Sequence, residues 1–357
     1  MTKNIETYQA HTQEGMLLNA NESPYMVTEK VMAEILEAIP TIDLNRYPDD
    51  SYQELYEAYA QVMNLDPNQL LTGNGSDQML GLVIGTHLSK GKTLYTLSKD
   101  FSMYDYYASE YEANVEKYPV NEDGSFDIDD FIAQGKEKGA DLVIFSNPNN
   151  PTGHCLKKEE ILKIVDGFDC PVLIDEAYME FSNQSVLPYV EEHENLLVTR
   201  TLSKAFGLAG LRVGFLVCNQ AKMQAYRARK VPYALNSVSQ KIATIVLHHY
   251  EDIQIVIQQT KSFRDEMLDK LLLFRFMEFY PSEANFIYGK CENKELLLKL
   301  FAQANIQIRD FKHTEFFRIT IGSKEENEAV LTVLQSFVRE MLTCAKQVYK
   351  EIRSKQK

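Results

Sequence analysis

Short apolar segments alternate with longer helical segments between about residues 70 and 230, and this alternation constrains the fold more than any other feature of the chain. The apolar runs have strand length, and helix-length segments separate them. The pattern predicts an α/β fold in which a mostly parallel sheet is covered by helices on both faces. Ligands of such sheets bind at the carboxyl ends of the strands, so the polar residues that follow each run are candidate site residues.

The most informative strand end is Thr201–Gly214, which reads TLSKAFGLAGLRVG and follows the apolar run 195–200. A buried ammonium must be compensated. Lys204 is therefore predicted to be a nucleophile that forms a Schiff base, since desolvation and nearby cations lower the pKa of a lysine. Three neighbours can donate hydrogen bonds to a phosphate: Thr201, Ser203 and Arg212. An aldehyde combined with a phosphate describes pyridoxal phosphate (PLP). The alternative is an exposed strand-to-helix turn.

A second strand end lies at 142–153, where the buried-type run LVIF is followed by SNPNNPTG. Pro148 and Pro151 restrict the residues before them and stiffen the turn. Asn147 and Asn150 are thereby held extended at a strand end, where an asparagine amide can donate to a phenolic oxygen. The alternative is a loop that serves only to turn the chain.

A third strand end is Val172–Asp175, in the segment PVLIDEAYMEF. A carboxylate at this place can pair with a protonated ring nitrogen and keep a pyridinium charged, and Tyr178 is near enough in a turn to contact the same ring. The alternative for Asp175 is a helix N-cap. The segment LLTGNGSD at 70–77 adds glycines before a helix start, where backbone N–H groups can surround a phosphate.

In this order along the chain, the four segments resemble those of the aspartate-aminotransferase-like (fold type I) PLP enzymes, and within them the histidinol-phosphate aminotransferase family. The motifs SNPNNPTG, DEAY and TLSKAFGLAGLRVG are specific to the superfamily. LNANESPY (18–25) and RYPD (46–49) point to the histidinol-phosphate branch. The resemblance extends to FRITIG (317–322) and so covers nearly the whole chain.

The resemblance implies a role for each matching residue in holding PLP. Lys204 matches the Schiff-base lysine, which shuttles a proton between the substrate Cα and the cofactor C4′. Asp175 would pair with the ring nitrogen, and Tyr178 and Asn150 would contact the phenolic oxygen. The contacts to the phosphate and the stacking on the ring would come from Thr201, Ser203, Arg212, the backbone at Ser76 and Asp77, and Phe101. Relatives usually have Pro-Thr-Tyr at the stacking position, whereas this chain has Lys99-Asp-Phe101.

Further residues match contacts to the substrate and to a second subunit. Tyr47 matches a tyrosine that reaches the neighbouring subunit's site, which implies a homodimer. Arg318 matches the arginine that binds the substrate's anionic end, where a guanidinium fork suits carboxylate or phosphate. Tyr25 and Arg309 resemble contacts to the distal group of the substrate, and Asn150 is a candidate contact to the substrate as well as to the cofactor. For Arg309 the alternative is a surface position paired with Asp310.

Composition restricts the class of partner. The net charge of −14 argues against binding of nucleic acid or an anionic membrane surface, so bound anions must be drawn by local arginines. The five cysteines form no CxxC pair, which predicts reduced thiols and a cytoplasmic protein. No apolar run reaches spanning length, and no metal site is predicted.

These patterns predict a large PLP-binding domain at residues 41–235 and a smaller α+β domain formed by both termini, residues 1–40 and 236–357. Helical periodicity is present at 26–39 and 51–63. The function implied by the resemblance is a PLP-dependent aminotransferase that moves the amino group of L-histidinol phosphate to 2-oxoglutarate in histidine biosynthesis. Two alternatives stay open: an aromatic or other amino-acid aminotransferase, and a PLP-dependent decarboxylase of a phosphorylated amino acid.

Overall fold

The computed structural model describes residues 14–355, without the side chains of 348–353 and 355. In this part of the chain, the strands are β1 Met16–Leu18, β2 Leu70–Asn74, β3 Thr93–Leu97, β4 Asn114–Tyr118, β5 Leu142–Ser146, β6 Val172–Asp175, β7 Leu196–Thr201, β8 Val213–Cys218, β9 Glu278–Phe279, β10 Phe286–Lys290, β11 Ile306–Asp310 and β12 Phe316–Thr320. The α-helices are α1 Glu29–Ala38, α2 Gln53–Met63, α3 Gly75–His87, α4 Met103–Glu110, α5 Ile128–Glu137, α6 Lys158–Gly167, α7 Gln220–Arg227, α8 Ser237–His248, α9 Tyr250–Leu271, α10 Lys294–Gln303 and α11 Lys324–Lys355.

The larger sheet described has the strand order β2-β8-β7-β6-β5-β3-β4. The pairs from β7 through β4 are parallel, and β8 runs antiparallel to both of its neighbours, β7 and β2. Its central strands β5, β6 and β7 are buried along their whole length, because helices cover both faces. The α/β class predicted from the sequence is therefore confirmed.

The smaller sheet described has the order β1-β11-β12-β10-β9, with β1 parallel to β11 and the other pairs antiparallel. One of its faces packs on α9, α10 and α11 in a separate hydrophobic cluster that contains Ile287, Phe317 and Ile319. Because side chains alternate along a strand, Arg318 lies on the opposite face from Phe317 and Ile319. That face is directed towards the larger sheet, since the Phe286 ring lies edge-on to Tyr178 with the ring centroids 5.1 Å apart.

The helices α1 and α8, and the first part of α9, pack in the same hydrophobic cluster as the larger sheet. Local capping fixes where two of these helices begin. Thr28 accepts a hydrogen bond from the Val31 amide at the start of α1, and Asn236 accepts one from the Ser239 amide at the start of α8. The domain boundaries at 40/41 and 235/236 stay a prediction.

Candidate active site

The carboxyl ends of β5, β6 and β7 lie side by side at one edge of the larger sheet. The register aligns Ser146 with Asp175 and Asp175 with Thr199. The segments that follow these strands carry Asn150, Tyr178 and Lys204, so the three strand ends predicted from the sequence are brought together.

Asp175 is the last residue of β6 and is 4% exposed. Its Oδ1 accepts a hydrogen bond from Thr199 Oγ1 at 2.9 Å, and its Oδ2 accepts one from the Tyr104 hydroxyl at 3.0 Å. Burial raises the pKa of this carboxyl to about 6, against the two hydrogen bonds that favour the ionised form. The next helical turn begins at Met179, so the N-cap alternative for Asp175 does not hold.

Lys204 follows β7 and is half-buried. Its Nζ donates to the Ala20 carbonyl oxygen at 2.7 Å and lies 5.9 Å from the Tyr178 ring centroid. Burial, followed by the nearby Arg318 cation, lowers the pKa of this amine to about 8. About one tenth of Lys204 is therefore neutral and nucleophilic at pH 7, far more than of an ordinary lysine. The exposed-turn alternative does not hold, because Thr201, Leu202 and Ser203 are buried.

The N-terminus of α3 faces the turn that carries Arg212. The Arg212 guanidinium donates to Asp77 Oδ2 at 2.9 Å and to Ser203 Oγ at 3.2 Å. The Ser203 amide donates to Thr201 Oγ1 at 3.1 Å. Every residue predicted to contact the phosphate thus lies in this one place.

Two glycines make this close approach possible. Gly75 has φ +78°, and a Cβ there would lie 2.5 Å from Arg212 Nη2. A Cβ on Gly214 would lie 2.1 Å from the Ser76 amide nitrogen. The backbone N–H groups at the start of a 13-residue helix therefore lie close to a guanidinium, and this donor set suits a phosphate.

Arg318 connects the smaller sheet to the site. Its Nη1 donates to Asn150 Oδ1, and its Nη2 donates to the Asn19 carbonyl oxygen at 2.9 Å. The Tyr178 hydroxyl accepts from Asn21 Nδ2 at 2.9 Å. Asn150, Tyr178 and Arg318 are thus grouped as the sequence analysis predicted, and Tyr178 and Arg318 also have partners in the N-terminal segment.

Phe101 begins the turn before α4 and meets Tyr104 edge-to-face, with ring centroids 5.8 Å apart. The preceding Asp100 binds three donors: its Oδ1 accepts from the Phe101 amide (2.8 Å) and Ser146 Oγ (2.5 Å), and its Oδ2 accepts from the Ser146 amide (3.0 Å). Ser146 Oγ in turn accepts from the Asn150 amide at 2.9 Å. One carboxylate therefore connects the segments of Phe101 and Asn150, and burial raises its pKa to about 7.

The residues predicted to contact the substrate or a second subunit lie in different places. Arg309 is directly opposite Arg318 in the β11–β12 register, and Asp310, its alternative partner, is ion-paired with Lys294 at 2.6 Å. Tyr25 lies near Glu325 and Glu326 at the start of α11. Its burial, and then the charges of these two carboxylates, raise the pKa of its phenol. The remaining residue of this group is Tyr47, which is 82% exposed and stacks on Tyr233 with ring centroids 4.6 Å apart.

Sequence reasoning missed several residues of this site. Thr199 and Tyr104 hold Asp175, and Asp100 holds the Phe101 and Asn150 segments. A signal existed for Asp100, since it replaces a residue of the usual Pro-Thr-Tyr stretch. Residues 19–21 lie in the LNANESPY motif, which the sequence analysis recognised without assigning a function to its asparagines.

No helix among the described residues is long and apolar enough to cross a membrane. Within the same residues, no group of three or more His, Cys, Asp or Glu side chains is arranged to hold a metal ion.

Comparisons with known proteins identify the family of the chain. Residues 13–334 match the profile of the aminotransferase class I and II family. The chain is 36% identical over 325 residues to histidinol-phosphate aminotransferase of Clostridium kluyveri, covering 90% of this chain and 93% of that protein. It is 35% identical over 347 residues to histidinol-phosphate aminotransferase of Pyrococcus furiosus, covering 94% and 97%.

Solved structures share the fold at lower identity. Histidinol-phosphate aminotransferase of Sinorhizobium meliloti in complex with pyridoxal-5′-phosphate superposes with a TM-score of 0.83 at 20% identity, covering 92% of each chain. The enzyme of that name from Clostridium acetobutylicum gives 0.83 at 22% identity, covering 91% of this chain and 99% of that one.

Proposed function

Because the chain belongs to the aminotransferase class I and II family and is a PLP-dependent aminotransferase, we propose that its amino donor is L-histidinol phosphate and its acceptor 2-oxoglutarate, in histidine biosynthesis. The observation that carries the choice of donor is the pair Arg309 and Arg318, which lie opposite each other on adjacent strands at the site. Two guanidinium groups on the same face of a sheet suit a doubly charged phosphate better than a singly charged carboxylate.

The donor set of the site fits PLP. When bound, PLP supplies an aldehyde carbon that reacts with amines and a ring that accepts electrons. Lys204 is the residue that would hold the aldehyde, and Asp175 the ring nitrogen. Tyr178 and Asn150 would hold the phenolic oxygen, and Phe101 would stack on the ring. The phosphate would be held by Thr201, Ser203, Arg212 and the backbone N–H groups of Ser76 and Asp77.

Lys204 is the proposed acid and base of the reaction. With a pKa near 8, its Nζ can remove a proton from the substrate Cα as a free amine and return it as an ammonium. The Ala20 carbonyl oxygen accepts a hydrogen bond from this amine at 2.7 Å, which gives the released side chain a fixed position.

Asp175 would keep a proton on the ring nitrogen of bound PLP. Its two oxygens are oriented by Thr199 and Tyr104, so the carboxylate cannot turn away from its ligand. A cationic ligand would offset the burial that raises the pKa of Asp175 and would favour its ionised form. The buried carboxylate and the protonated ring would therefore stabilise each other.

The two arginines also select for size. The guanidinium of Arg318 reaches Asn150, so the anion that it binds lies close to the cofactor contacts. Arg309 lies opposite Arg318 on the adjacent strand, so the positive region is wider than one guanidinium. An amine whose anionic group lies at the end of a short side chain matches this arrangement, and Tyr25 is proposed to contact the same distal group.

A product assay tests this choice of donor. Purified PLP-loaded protein is given 2-oxoglutarate with L-histidinol phosphate, phenylalanine or aspartate, and glutamate is measured. Glutamate formed fastest with L-histidinol phosphate supports the proposal. Faster formation with phenylalanine identifies an aromatic aminotransferase instead. Release of CO2 from a phosphorylated amino acid without glutamate identifies a decarboxylase.

We also propose that the protein is a homodimer in which Tyr47 reaches the partner's site and contacts its cofactor. Tyr47 supports this because it stacks on Tyr233, which is also exposed, and the two rings form an aromatic pair on the surface that a partner could cover. A cytoplasmic location is proposed from the five cysteines, all among the described residues and all free.

A further inference from the structure

Three consecutive residues that follow β1 contact three side chains of the site. The Asn19 carbonyl oxygen accepts from Arg318, the Ala20 carbonyl oxygen accepts from Lys204, and Asn21 Nδ2 donates to Tyr178. Asn19 and Ala20 make these contacts with their backbone, and only Asn21 makes its contact with a side chain. Asn21 is therefore the residue of this segment whose chemical identity matters directly.

Asn21 is fixed in place on every side. It is 1% exposed and has φ 57°, a left-handed conformation that asparagine tolerates better than most residues. Its amide N–H donates to Thr320 Oγ1 at 3.0 Å, and its carbonyl oxygen accepts from Asn285 Nδ2 at 3.1 Å. The backbone of Asn21 is thus held by β12 and by the residue that precedes β10.

Thr320 also determines which way the Asn21 amide is turned. The Thr320 hydroxyl already accepts the Asn21 N–H, and it donates its own hydrogen to Asn21 Oδ1 at 3.2 Å. With Oδ1 occupied by this donor, the NH2 group of Asn21 faces the Tyr178 oxygen. The amide therefore acts on Tyr178 only as a hydrogen-bond donor.

This contact controls the single hydrogen of the Tyr178 hydroxyl. Burial raises the pKa of Tyr178, so the phenol stays protonated. The Asn21 NH2 group donates to the Tyr178 oxygen, so the Tyr178 hydroxyl cannot donate its own hydrogen to Asn21. We propose that Asn21, oriented by Thr320, is a positioning residue that makes the Tyr178 hydroxyl donate its hydrogen into the cofactor site. This inference rests on the proposed contact between Tyr178 and the phenolic oxygen of PLP.

The test is a double-mutant cycle between Asn21 and Tyr178. Asn21→Gly removes the amide while glycine keeps the left-handed backbone without strain. Tyr178→Phe removes the hydroxyl. The affinity for PLP is measured by titrating the apo-protein, and the absorbance of bound PLP is followed against pH. Both measurements are independent of turnover.

We expect Asn21→Gly to weaken PLP binding about 3- to 10-fold, the effect of one misdirected hydrogen bond. The hydrogen of the Tyr178 hydroxyl would stabilise the ionised phenolic oxygen of PLP. In Asn21→Gly, the midpoint of the absorbance change of bound PLP with pH should therefore move to a higher pH. In the Tyr178→Phe background, Asn21→Gly should produce no further change, since the group on which it acts is absent.

Thr320 provides a second variant that leaves Asn21 intact. Thr320→Val removes the donor that orients the amide and should reproduce the upward shift of the absorbance titration, whereas Thr320→Ser should retain the native value. Asn64→Gly is the matched control, because Asn64 is an exposed asparagine with φ 54° at the end of α2. It should leave both measurements unchanged.

The outcomes separate this inference from the proposed function. If Tyr178→Phe changes neither measurement, the proposed contact of Tyr178 with PLP is wrong, and the inference is overturned with it. If Tyr178→Phe has an effect and Asn21→Gly has none, the inference alone is overturned. An Asn21→Gly effect of equal size in the Tyr178→Phe background also overturns it, because Asn21 would then act through packing.

Discussion

At the scale of the residue, the environment of Lys204 determines the chemistry. Substitution of Lys204 by alanine removes the proposed nucleophile and base together, and we expect turnover to fall by about 10³-fold or more. Glutamate formation from 2-oxoglutarate measures this loss. Lys90→Ala is the control, because Lys90 is an exposed lysine paired with Glu112. Turnover by the Lys204 variant near the wild-type rate would refute its role.

The pH dependence of PLP binding follows from the same amine. Since only the neutral amine attacks an aldehyde, the rate of PLP association should rise with pH and level off above about 8. Arg318→Gln removes a cation that lowers the pKa of Lys204, so the midpoint should move to higher pH. Stopped-flow absorbance at several pH values measures this midpoint.

Arg275→Gln is the control, because Arg275 is exposed, and it should leave the midpoint unchanged. An unchanged midpoint in Arg318→Gln would contradict the effect of Arg318 on the pKa of Lys204.

Asp100 offers a prediction about stability. Its two oxygens accept from two different backbone amides, those of Phe101 and Ser146. Whichever way the side chain of Asp100→Asn is turned, one of these N–H groups meets an NH2 group and loses its acceptor. We expect a loss of about 1–3 kcal/mol in the free energy of unfolding, measured by denaturant titration. Asp169→Asn, at an exposed position, should change it by less than about 0.5 kcal/mol.

At the scale of the element, the contact between β8 and the start of α3 forms the phosphate site. Gly214→Ala places a Cβ 2.1 Å from the Ser76 amide nitrogen, so α3 must move away from β8. We expect a destabilisation of about 1–3 kcal/mol and PLP binding weakened by about 10-fold or more. Calorimetry and PLP titration measure the two effects.

Gly210→Ala is the matched control for this change. Gly210 lies in the 3₁₀ turn Ala209–Leu211 that leads into β8, and its added Cβ meets no atom within 4 Å. Stability and PLP affinity should stay at their wild-type values. Equal effects of the two substitutions would show that the close approach of β8 and α3 is not what the phosphate site requires.

At the scale of the whole molecule, the proposed shared site predicts complementation between two inactive chains. Lys204→Ala lacks the nucleophile, and Tyr47→Ala lacks the side chain proposed to reach the partner. A mixed dimer combines native Lys204 from one chain with native Tyr47 from the other. After co-refolding, random pairing should restore about one quarter of wild-type activity. No recovery in a sample that light scattering shows to be dimeric would refute the shared site.

The strand ends could be predicted from the sequence because their signals are local. Apolar runs such as 142–145 predict buried strands, and the polar turn that follows each run predicts a site at the sheet edge. Helix ends are less sharply encoded, since fraying and capping decide them. The periodicity at 26–39 and 51–63 corresponds to helices at Glu29–Ala38 and Gln53–Met63.

The residues that the sequence analysis missed are those whose importance depends on long-range pairing. Thr199 is in an ordinary strand position, and only the register of β7 beside β6 brings it to Asp175. Asn21 is 157 residues away from Tyr178 along the chain and 299 away from Thr320. A local sequence pattern cannot predict a contact between residues so far apart in the chain.

The sequence by itself determined the fold class, the family and the strand ends that carry Asn150, Asp175 and Lys204. The strand ends follow from patterns within about fifteen residues, where strand length, proline and glycine restrict the backbone directly, and the fold class and the family follow from the order of these patterns along the chain. The tertiary structure alone decided the partners of those residues: Thr199 and Tyr104 on Asp175, Ala20 on Lys204, and Asn21 on Tyr178. The physical reason is that burial and hydrogen bonding depend on which distant segments pack together.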